Sequence, residues 1–335
     1  MGNKIARLIE LAQRLPEEYQ DAAIEYLEGK IEEGAEKKPI LPCPHCGSER
    51  VTRFGRKRGR LRFRCKDCGK TFVETTNTVM YQSHYGEAVW KQVIRDTLEG
   101  VPIDDTAVSV GVSHDTAFHM RHKILLSLEA EEGRTPTILD GVCELDDTYV
   151  LESLKGTKIP EDYWRGARKH GATAQKRGVS KEYVSISTGV ERDGQAISRT
   201  VTRATPGSED LIDVFGERIG PEAIILCDGA TGYNALGAEC DCDVKNVKEE
   251  TGSSKGGKGF YNINTVNNFH SFIKEWYTHC RGVATKYLNR YNILFAKAFR
   301  GDKELVDDIY NMLCSNDVNH WHGIDAVKGL NLLDI

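Results

Sequence analysis

Two adjacent aspartates, Asp146 and Asp147, lie in the middle of a largely apolar stretch, residues 142–150. The β-branched and apolar residues around them predict a short, buried β-strand. Two carboxylates inside such a strand are costly unless something compensates their charge. A bound divalent cation would compensate it, because carboxylate oxygens are preferred ligands of hard cations. The alternative is a strand end whose two acids face solvent, and the local sequence does not show which aspartate would be the ligand.

A third aspartate, Asp228, directly follows a second apolar run, residues 223–227. That run has the length of a buried core strand, so Asp228 and Gly229 are predicted at its C-terminal end. A carboxylate at a strand end suits a metal site, but on its own it suits a turn equally well. The argument for a metal site therefore depends on the two acidic strand positions together.

A predicted helix over residues 264–278 carries further candidate ligands. His270 shares one helical face, at spacings of three and four residues, with four polar side chains: Asn264, Asn267, Ser271 and Lys274. Glu275 is five residues beyond His270, about 140° around the helix, so the two side chains are not interchangeable as ligands. A lone histidine on a helix is more often structural than a ligand, and imidazole suits softer ions better than Mg²⁺.

The elements that must position these residues are predicted in a definite order. Strands are expected at 142–150, 183–190, 196–201, 223–227 and 242–247, with helices beginning at Ser208 and Asn264. Three strands, helix, strand, helix, strand, helix is the order of the α/β, ribonuclease H-like fold, a mixed-sheet catalytic domain. Phosphoryl-transfer enzymes of that fold hold two divalent ions between carboxylates at these points. One ion activates the attacking water or 3′-hydroxyl, and the other stabilises the leaving oxygen.

Two Cys-x-x-Cys pairs form the strongest local signal in the chain: Cys43 with Cys46, and Cys65 with Cys68. Paired thiols at this separation, each pair followed by glycine, are typical of a structural zinc ribbon with four thiolate ligands. A redox role is not favoured, because nothing thioredoxin-like surrounds either pair. The ion would replace a missing core, so the module is expected to unfold without it.

Positive charge is concentrated in the same module. The whole chain of 335 residues has a net charge of −5, yet residues 40–75 carry ten Lys and Arg against three acids. Basic residues alternate there with Val51, Phe54, Leu61 and Phe63, which predicts a hairpin with one packed and one cationic face, suited to phosphates. A merely solvated charged face is the alternative. The residues expected to contact DNA are Arg56, Lys57, Arg58, Arg60 and Arg62.

Residues 84–130 are predicted to form a helix-turn-helix. Apolar positions indicate a first helix ending near Gly100 and a short second helix ending near Gly111. Ser113 is then expected to cap a longer third helix. On that helix His114, Thr116, His119 and Arg121 are the predicted groove contacts. Helical hairpins of this length are common, so the neighbouring cationic ribbon is what favours DNA binding.

The remaining segments are less informative. The predicted organisation is N-terminal helices and linker (1–39), zinc ribbon (40–76), helix-turn-helix (84–130), ribonuclease H-like domain (138–300), and C-terminal helix and tail (301–335). A basic segment from Lys155 to Lys181 is predicted as a loop, and its candidate DNA contacts are Arg168, Lys169, Lys176 and Arg177. No apolar run is long enough to span a membrane and no signal peptide is evident, so we expect a cytoplasmic, nucleoid-associated protein.

With these motifs in place, the chain resembles the zinc-ribbon DDE-type transposases of insertion sequences over roughly residues 40–300. The resemblance rests on the two cysteine pairs, on Glu144-Leu145-Asp146-Asp147-Thr148-Tyr149, on Asp228-Gly229 followed by Tyr233, on residues 266–274, and on residues 282–291. It implies that Asp146 is the first catalytic acid and Asp228 the second. It places His270 where much of the family has glutamate, in an Asn-x-x-His-Ser context that resembles a subgroup with histidine there.

The resemblance also implies the activity and the partners. It predicts a transposase that binds the terminal inverted repeats of a mobile element, cleaves a strand and joins the new 3′-hydroxyl to target DNA. Two Mg²⁺ or Mn²⁺ ions would serve catalysis and one Zn²⁺ the ribbon, with Asp147 and Glu275 as weaker alternative ligands, and Asn267 and Lys274 assisting. Double-stranded DNA and a homodimer or larger assembly are the expected partners. The alternatives are a catalytically inactive, domesticated DNA-binding regulator and a nuclease without strand transfer.

Overall fold

The computed structural model describes residue 16 and residues 41–315, with gaps at 58–59, 82, 167, 169–172, 252–258, 281, 300 and 302–303. The predicted N-terminal helices (1–39) and the tail beyond residue 315 lie outside the described residues, apart from residue 16. The described chain divides into two compact units, one ending at Glu74 and the other beginning at Thr75. No helix among the described residues is long and apolar enough to cross a membrane.

The first unit is a three-stranded antiparallel sheet. Its strands, in sheet order, are β1 (Val51–Lys57), β2 (Arg60–Cys65) and β3 (Thr71–Val73). Its buried core is small: Cys43, Val51, Phe63, Cys65 and Phe72. So small a core is marginal on its own, which is the situation in which a structural metal usually supplies the missing stability.

The second unit begins with three helices, α1 (Glu87–Leu98), α2 (Ile103–Val110) and α3 (His114–Arg134). Gly111 ends α2 in the left-handed conformation, with φ of 68°, which glycine adopts without steric cost. Ser113 is the N-cap of α3, as predicted, and its hydroxyl accepts a hydrogen bond from the Thr116 amide at 3.2 Å.

A five-stranded sheet forms the centre of the second unit. Its strands are β4 (Val142–Leu151), β5 (Tyr183–Glu191), β6 (Ala196–Arg203), β7 (Ile224–Cys227) and β8 (Asp243–Asn246), in the order β6-β5-β4-β7-β8. Strand β4 is central: it pairs antiparallel with β5 and parallel with β7. Three consecutive antiparallel strands extended by two parallel ones are the ribonuclease H-like arrangement, so the predicted fold class is confirmed.

Helices cover both faces of this sheet. The connecting helices are α4 (Ser208–Phe215), α5 (Thr231–Cys240) and α6 (Val247–Thr251), followed by α7 (Asn264–His279), α8 (Leu288–Ala298) and α9 (Leu305–Cys314). Leu145 and Ile225 pack with α4 and α5 on one face. On the other face, the sheet packs against α7 and α8 in a core that also includes Trp90, Ile124 and Leu128 of α1 and α3. The helical segment and the sheet therefore share one continuous core.

The predicted basic loop connects β4 to β5, and the described residues between these strands form turns and bends. The loop is held by the buried carboxylate of Glu152, which accepts hydrogen bonds from Tyr163, Arg165 and Arg203. A second buried carboxylate, Glu182, binds Arg168 at 3.0 Å and the amide of Lys176 at 3.1 Å. These charge-assisted bonds give the loop a defined anchor at the end of the sheet.

Candidate active site and zinc ribbon

The four predicted zinc ligands converge at one end of the ribbon. Their sulfur atoms all lie within 4.8 Å of one another, and the Cys43–Cys68 and Cys46–Cys65 Sγ pairs are each 3.6 Å apart. Four thiolates around a tetrahedral zinc, with Zn–S bonds of about 2.3 Å, would place their sulfurs about 3.8 Å apart. The observed spacing fits a four-thiolate zinc site.

The ribbon also carries a cationic face. Phe63 is buried at 3% exposure, whereas Arg60 and Arg64 on the same strand are exposed. Phe54, which the sequence pattern placed with the packed residues, is instead 43% exposed. It lies beneath two guanidinium groups, those of Arg62 at 5.2 Å and Arg64 at 5.5 Å from the ring centre. Of the predicted contacts in this hairpin, Arg58 lies outside the described residues.

The candidate catalytic residues Asp146 and His270 meet on one face of the central sheet. Because side chains alternate along a strand, Asp146 of β4 points toward α7, whereas Asp147 points to the opposite face. Nδ1 of His270 lies 3.6 Å from Oδ2 of Asp146. Asp147 accepts a hydrogen bond at 2.5 Å from the hydroxyl of Ser187, and the buried Tyr233 ring stands close by. Of the two aspartates, the geometry pairs Asp146 with the histidine.

Asp228 directly follows the neighbouring strand β7 and is exposed. In the parallel register of β4 and β7, Glu144 is opposite Leu226, so Asp146 and Asp228 each lie two residues beyond the last observed pair. The negative charge of Asp228 contributes to the raised pKa of Asp146. The turn after Asp228 requires glycine, because Gly229 has φ of 98° and a Cβ there would be 2.4 Å from the Asn246 amide.

The charges of this cluster disturb one another. Burial raises the pKa of Asp146 to about 7, with the negative charges of Asp228 and Asp147 adding to the effect and Lys274 opposing it. Burial also raises the pKa of Asp147 to about 6, partly offset by the Ser187 hydroxyl. The concentration of negative charge in a buried place is what a bound cation would relieve.

His270 fits a metal ligand. The residue is 5% exposed, and its Nε2 atom is buried without a hydrogen-bond partner. Burial, reinforced by the charge of Lys274, lowers the pKa of the imidazole to about 3, so the ring is neutral at physiological pH. A cation shared with Asp146 would bind Nδ1, the nitrogen that faces this carboxylate, and a neutral imidazole can coordinate a cation there.

The other candidates on α7 are arranged around this centre. Asn267 and Lys274 are exposed, and the Asn267 amide donates to the carbonyl of Ile263 at 2.8 Å. Glu275 is also exposed and lies about 140° around the helix from His270, which is buried. The structure therefore brings His270 beside Asp146 and leaves Glu275 on a different helical face. The exposed Asp228 acts on Asp146 through its negative charge.

Two features that hold α7 in place were not anticipated from the sequence. At its N-terminal end, the backbone amides of Thr265 and Val266 donate to the buried carboxylate of Glu144. At its C-terminal end, the indole Nε1 of Trp276 lies 3.2 Å from the carbonyl oxygens of both Thr97 and Leu98, where α1 ends. These partners are more than 120 residues away in sequence, and the only local signal was a third acid within the buried strand β4.

Two of the predicted DNA contacts have different surroundings from those expected. Arg121 was predicted to be exposed on α3, but it is 1% exposed and its guanidinium donates to the Val101 carbonyl and the Thr106 hydroxyl. It is therefore corrected to a structural residue that ties α3 to the segment before it. Arg168 is mostly buried and bound to Glu182.

The remaining predicted contacts keep accessible positions. His114 is exposed at the start of α3, and His119 is partly exposed. In the basic loop Lys176 and Arg177 are exposed, while Lys169 lies outside the described residues.

Two family models match this chain. An ISXO2-like transposase domain matches residues 138–300, and a transposase zinc-ribbon domain matches residues 20–71. The chain is also 26% identical, over 253 residues, to an uncharacterised protein in transposable element ISH50 of Halobacterium salinarum. That match covers 74% of this chain and 82% of the relative.

Among solved structures, the chain is similar to the pre-cleavage Mos1 transpososome, with 10% identity, a TM-score of 0.26, and coverage of 72% of this chain and 81% of that one. It is also similar to the Mos1 strand transfer complex, with 9% identity, a TM-score of 0.27, and coverage of 92% and 89%. The fold assignment rests on the strand order of the central sheet. On its two matching domains, the chain belongs to the zinc-ribbon DDE-type transposases of insertion sequences.

Proposed function

We propose that this protein binds the terminal inverted repeats of an insertion sequence and catalyses metal-dependent DNA strand cleavage and strand transfer. The observation that carries the proposal is the contact of His270 with Asp146 of β4, together with the charge of Asp228 acting on the same carboxylate. His270 is a neutral imidazole whose Nδ1 faces Asp146, and Asp228, directly after β7, is the proposed third ligand.

In this proposal Asp146, Asp228 and His270 hold two Mg²⁺ or Mn²⁺ ions. Bound there, the ions would lower the pKa of the attacking water or 3′-hydroxyl and stabilise the leaving oxygen. Lys274, exposed one helical turn beyond His270, would contact a phosphate of the strand being cut. Asn267, one turn before His270, would assist the same strand, and the hydrogen bond from its side-chain amide to the Ile263 carbonyl fixes its orientation.

DNA would be bound by several basic surfaces. The arginines of β1 and β2, including Arg60 and Arg62, would follow phosphates in the manner of a cationic hairpin. His114, Thr116 and His119 at the start of α3 would face a groove, and Lys176 and Arg177 of the basic loop would add phosphate contacts. Phosphate contacts should dominate the affinity, so we expect binding to weaken steeply as salt increases.

The proposed reaction has a consequence for assembly. Strand transfer of both ends of an element needs two active sites, so a homodimer or larger assembly on DNA is part of the proposal. Zn²⁺ in the ribbon is the proposed structural ion, supported by the sulfur spacing of the four cysteines.

The test is strand nicking and joining on DNA that carries the element's own flanking ends, with Mg²⁺ or Mn²⁺, for the wild type and Asp146→Asn. Metal-dependent joining that is lost in the variant would support the proposal. Cleaved products that are never joined would identify a nuclease without strand transfer. Tight binding without cleavage in either metal would contradict the enzymatic function and identify a DNA-binding regulator.

A further inference from the structure

Glu144 is a completely buried carboxylate two residues before Asp146 on the same face of β4. Its exposure is 0%, and both of its oxygens are fully engaged. Oε2 accepts from the backbone amides of Thr265 at 2.6 Å and Val266 at 3.1 Å. Oε1 accepts from the Thr265 hydroxyl at 3.0 Å and from Nε of Arg192 at 2.7 Å. With four donors around two oxygens, Glu144 has no lone pair directed toward the catalytic centre.

These bonds fasten the first turn of α7 to the central strand. The amides at a helix N-terminus have no partner within the helix, and the helix dipole makes that end partly positive. A carboxylate there is stabilised by both effects, and here it is supplied from β4 and not from the residue before the helix. The helix begins at Asn264, so Thr265 and Val266 are its second and third residues.

The spacing along strand and helix connects this anchor with the catalytic pair. From Glu144 to Asp146 the strand advances two residues, or about 6.7 Å. From Val266 to His270 the helix advances four residues, or about 6 Å, and both residues are buried on the same helical face. Because the two distances nearly match, fixing the Val266 amide against Glu144 sets His270 opposite Asp146, where their side chains are 3.6 Å apart.

Arg192 extends the anchor to the segment that precedes α7. Its Nη2 atom donates to the carbonyls of Phe260 at 2.7 Å and Asn262 at 2.9 Å, while its Nε donates to Glu144. The arginine balances the buried charge of Glu144 and also fixes where the chain enters the helix.

We propose that Glu144, paired with Arg192, is a positioning residue that holds α7 in register with β4 so that His270 and Asp146 coordinate the same cation. This inference rests on the proposed function, because it assumes that the two side chains are metal ligands. Glu144 touches neither the cation nor the DNA and acts through the placement of His270.

The chain offers a closely matched control in Glu132. Its carboxylate is also buried and accepts from the same kinds of donor. These are the backbone amide of Thr137 at 3.3 Å, the hydroxyl of Thr137 at 2.9 Å, and the guanidinium groups of Arg199 at 3.0 Å and Arg218 at 2.6 Å. None of these partners belongs to α7. Replacing either carboxylate by an amide should disturb the fold in a similar way, but only Glu144 should affect the metal site.

The experiment measures Mn²⁺ affinity by calorimetry on the zinc-loaded, full-length protein without DNA, with thermal unfolding of each variant recorded in parallel. We expect Glu144→Gln to weaken Mn²⁺ binding about 10- to 100-fold, the usual effect of losing a group that orients a ligand. Glu132→Gln should bind Mn²⁺ like the wild type. Glu144→Asp keeps the negative charge on a side chain one methylene shorter, so its Mn²⁺ affinity should lie between those of Glu144→Gln and the wild type.

Four results would overturn the inference. Unchanged Mn²⁺ affinity in Glu144→Gln would show that the anchor does not place His270. A loss as complete as in Asp146→Asn would make Glu144 a ligand and not a positioning residue. If Asp146→Asn itself binds Mn²⁺ like the wild type, the metal site of the proposed function fails, and the inference with it. Should Glu144→Gln not fold, Arg192→Lys tests the same anchor with the carboxylate intact, and unchanged Mn²⁺ affinity there would also overturn the inference.

Discussion

Nδ1 of His270 lies 3.6 Å from Oδ2 of Asp146, although the two residues are 124 positions apart and belong to a helix and a strand. The contact is longer than a hydrogen bond, and the other imidazole nitrogen has no partner. The two side chains therefore do not hydrogen-bond to each other. They are better suited to bind a cation placed between them, which is the basis of the metal site proposed above.

The two neighbouring aspartates should respond differently to mutation. Asp146→Asn should reduce metal-dependent cleavage at least about 1,000-fold, equivalent to about 4 kcal/mol of transition-state stabilisation, since it removes a ligand from the side facing His270. Asp147→Asn is the control, because that carboxylate points to the opposite face and binds Ser187. Rates of single-turnover nicking would measure both. Equal losses in the two variants would contradict the assignment.

The identity of the third ligand should set the choice of metal. Carboxylate favours Mg²⁺, whereas imidazole is relatively better for softer ions such as Mn²⁺. His270→Glu should therefore raise the ratio of Mg²⁺- to Mn²⁺-supported activity, and His270→Ala should raise the concentration of either metal needed. Metal titrations of the nicking rate would test this. Glu275→Gln, altered on an exposed helical face, should leave both titrations unchanged.

Removing zinc should unfold one unit and spare the other. The ribbon core consists of five buried residues, two of them proposed zinc ligands, whereas the second unit has its own cores. A strong chelator, or Cys65→Ser, should make residues 41–74 sensitive to protease while residues 75–315 keep their cooperative thermal transition. Cys242→Ser, a thiol outside the ribbon, should release no zinc. Loss of both units together would contradict this expectation.

Stability should depend on pH through a buried histidine on α3. His122 is 1% exposed among Phe118, Tyr287 and Tyr291, and burial lowers its pKa from 6.5 to about 3. Between these values the unfolded chain binds one more proton than the folded chain. The free energy of unfolding should therefore fall as the pH drops below 6.5, by about 1.4 kcal/mol per pH unit from this group. In His122→Phe that part of the slope should vanish. Urea unfolding of the variant and the wild type between pH 7 and 4 would measure it. If the free energy of unfolding depended on pH in the same way in both proteins, the pKa shift would be contradicted.

DNA affinity should depend on the cationic face of the ribbon. Arg62→Ala should weaken binding to all sequences by a similar factor and reduce the slope of log affinity against log salt by about 1, as expected for one phosphate contact. Arg50→Ala is the matched control, because its guanidinium already pairs with Asp67 at 2.7 Å. Fluorescence anisotropy over a salt series would separate the two. An effect restricted to the element's own ends would instead assign Arg62 to base recognition.

Much of the fold was predictable because the signals were local. The spacing of the cysteines fixed the ribbon ligands, and runs of apolar residues bounded by turns located the strands of the sheet. The order of those strands then placed Asp146 and Asp228 on neighbours, since consecutive elements in such a sheet have few alternative arrangements. Apolar periodicity also gave the three helices before the sheet and the Ser113 cap.

The residues that were misjudged have partners far away in sequence. Arg121 was assigned to the surface because of its charge, yet it is four residues after the buried Ala117 and lies on the same helical face. Its burial is stabilised by the Val101 carbonyl and the Thr106 hydroxyl, which no periodicity reveals. Glu144 was passed over for the same reason: the amides that it binds are 121 and 122 residues away.

The indole of Trp276, which donates to the last carbonyls of α1, limits how this protein can evolve. The same ring stands 3.0 Å from where a Cβ on Gly100 would lie, so the junction leaves little room for change. The three helices before the sheet are thus not an exchangeable module that could be swapped between relatives to recognise new ends. If α3 reads the ends of the element as proposed, we expect new end sequences to be acquired by substitutions on its outer surface, while its inner surface stays matched to α8.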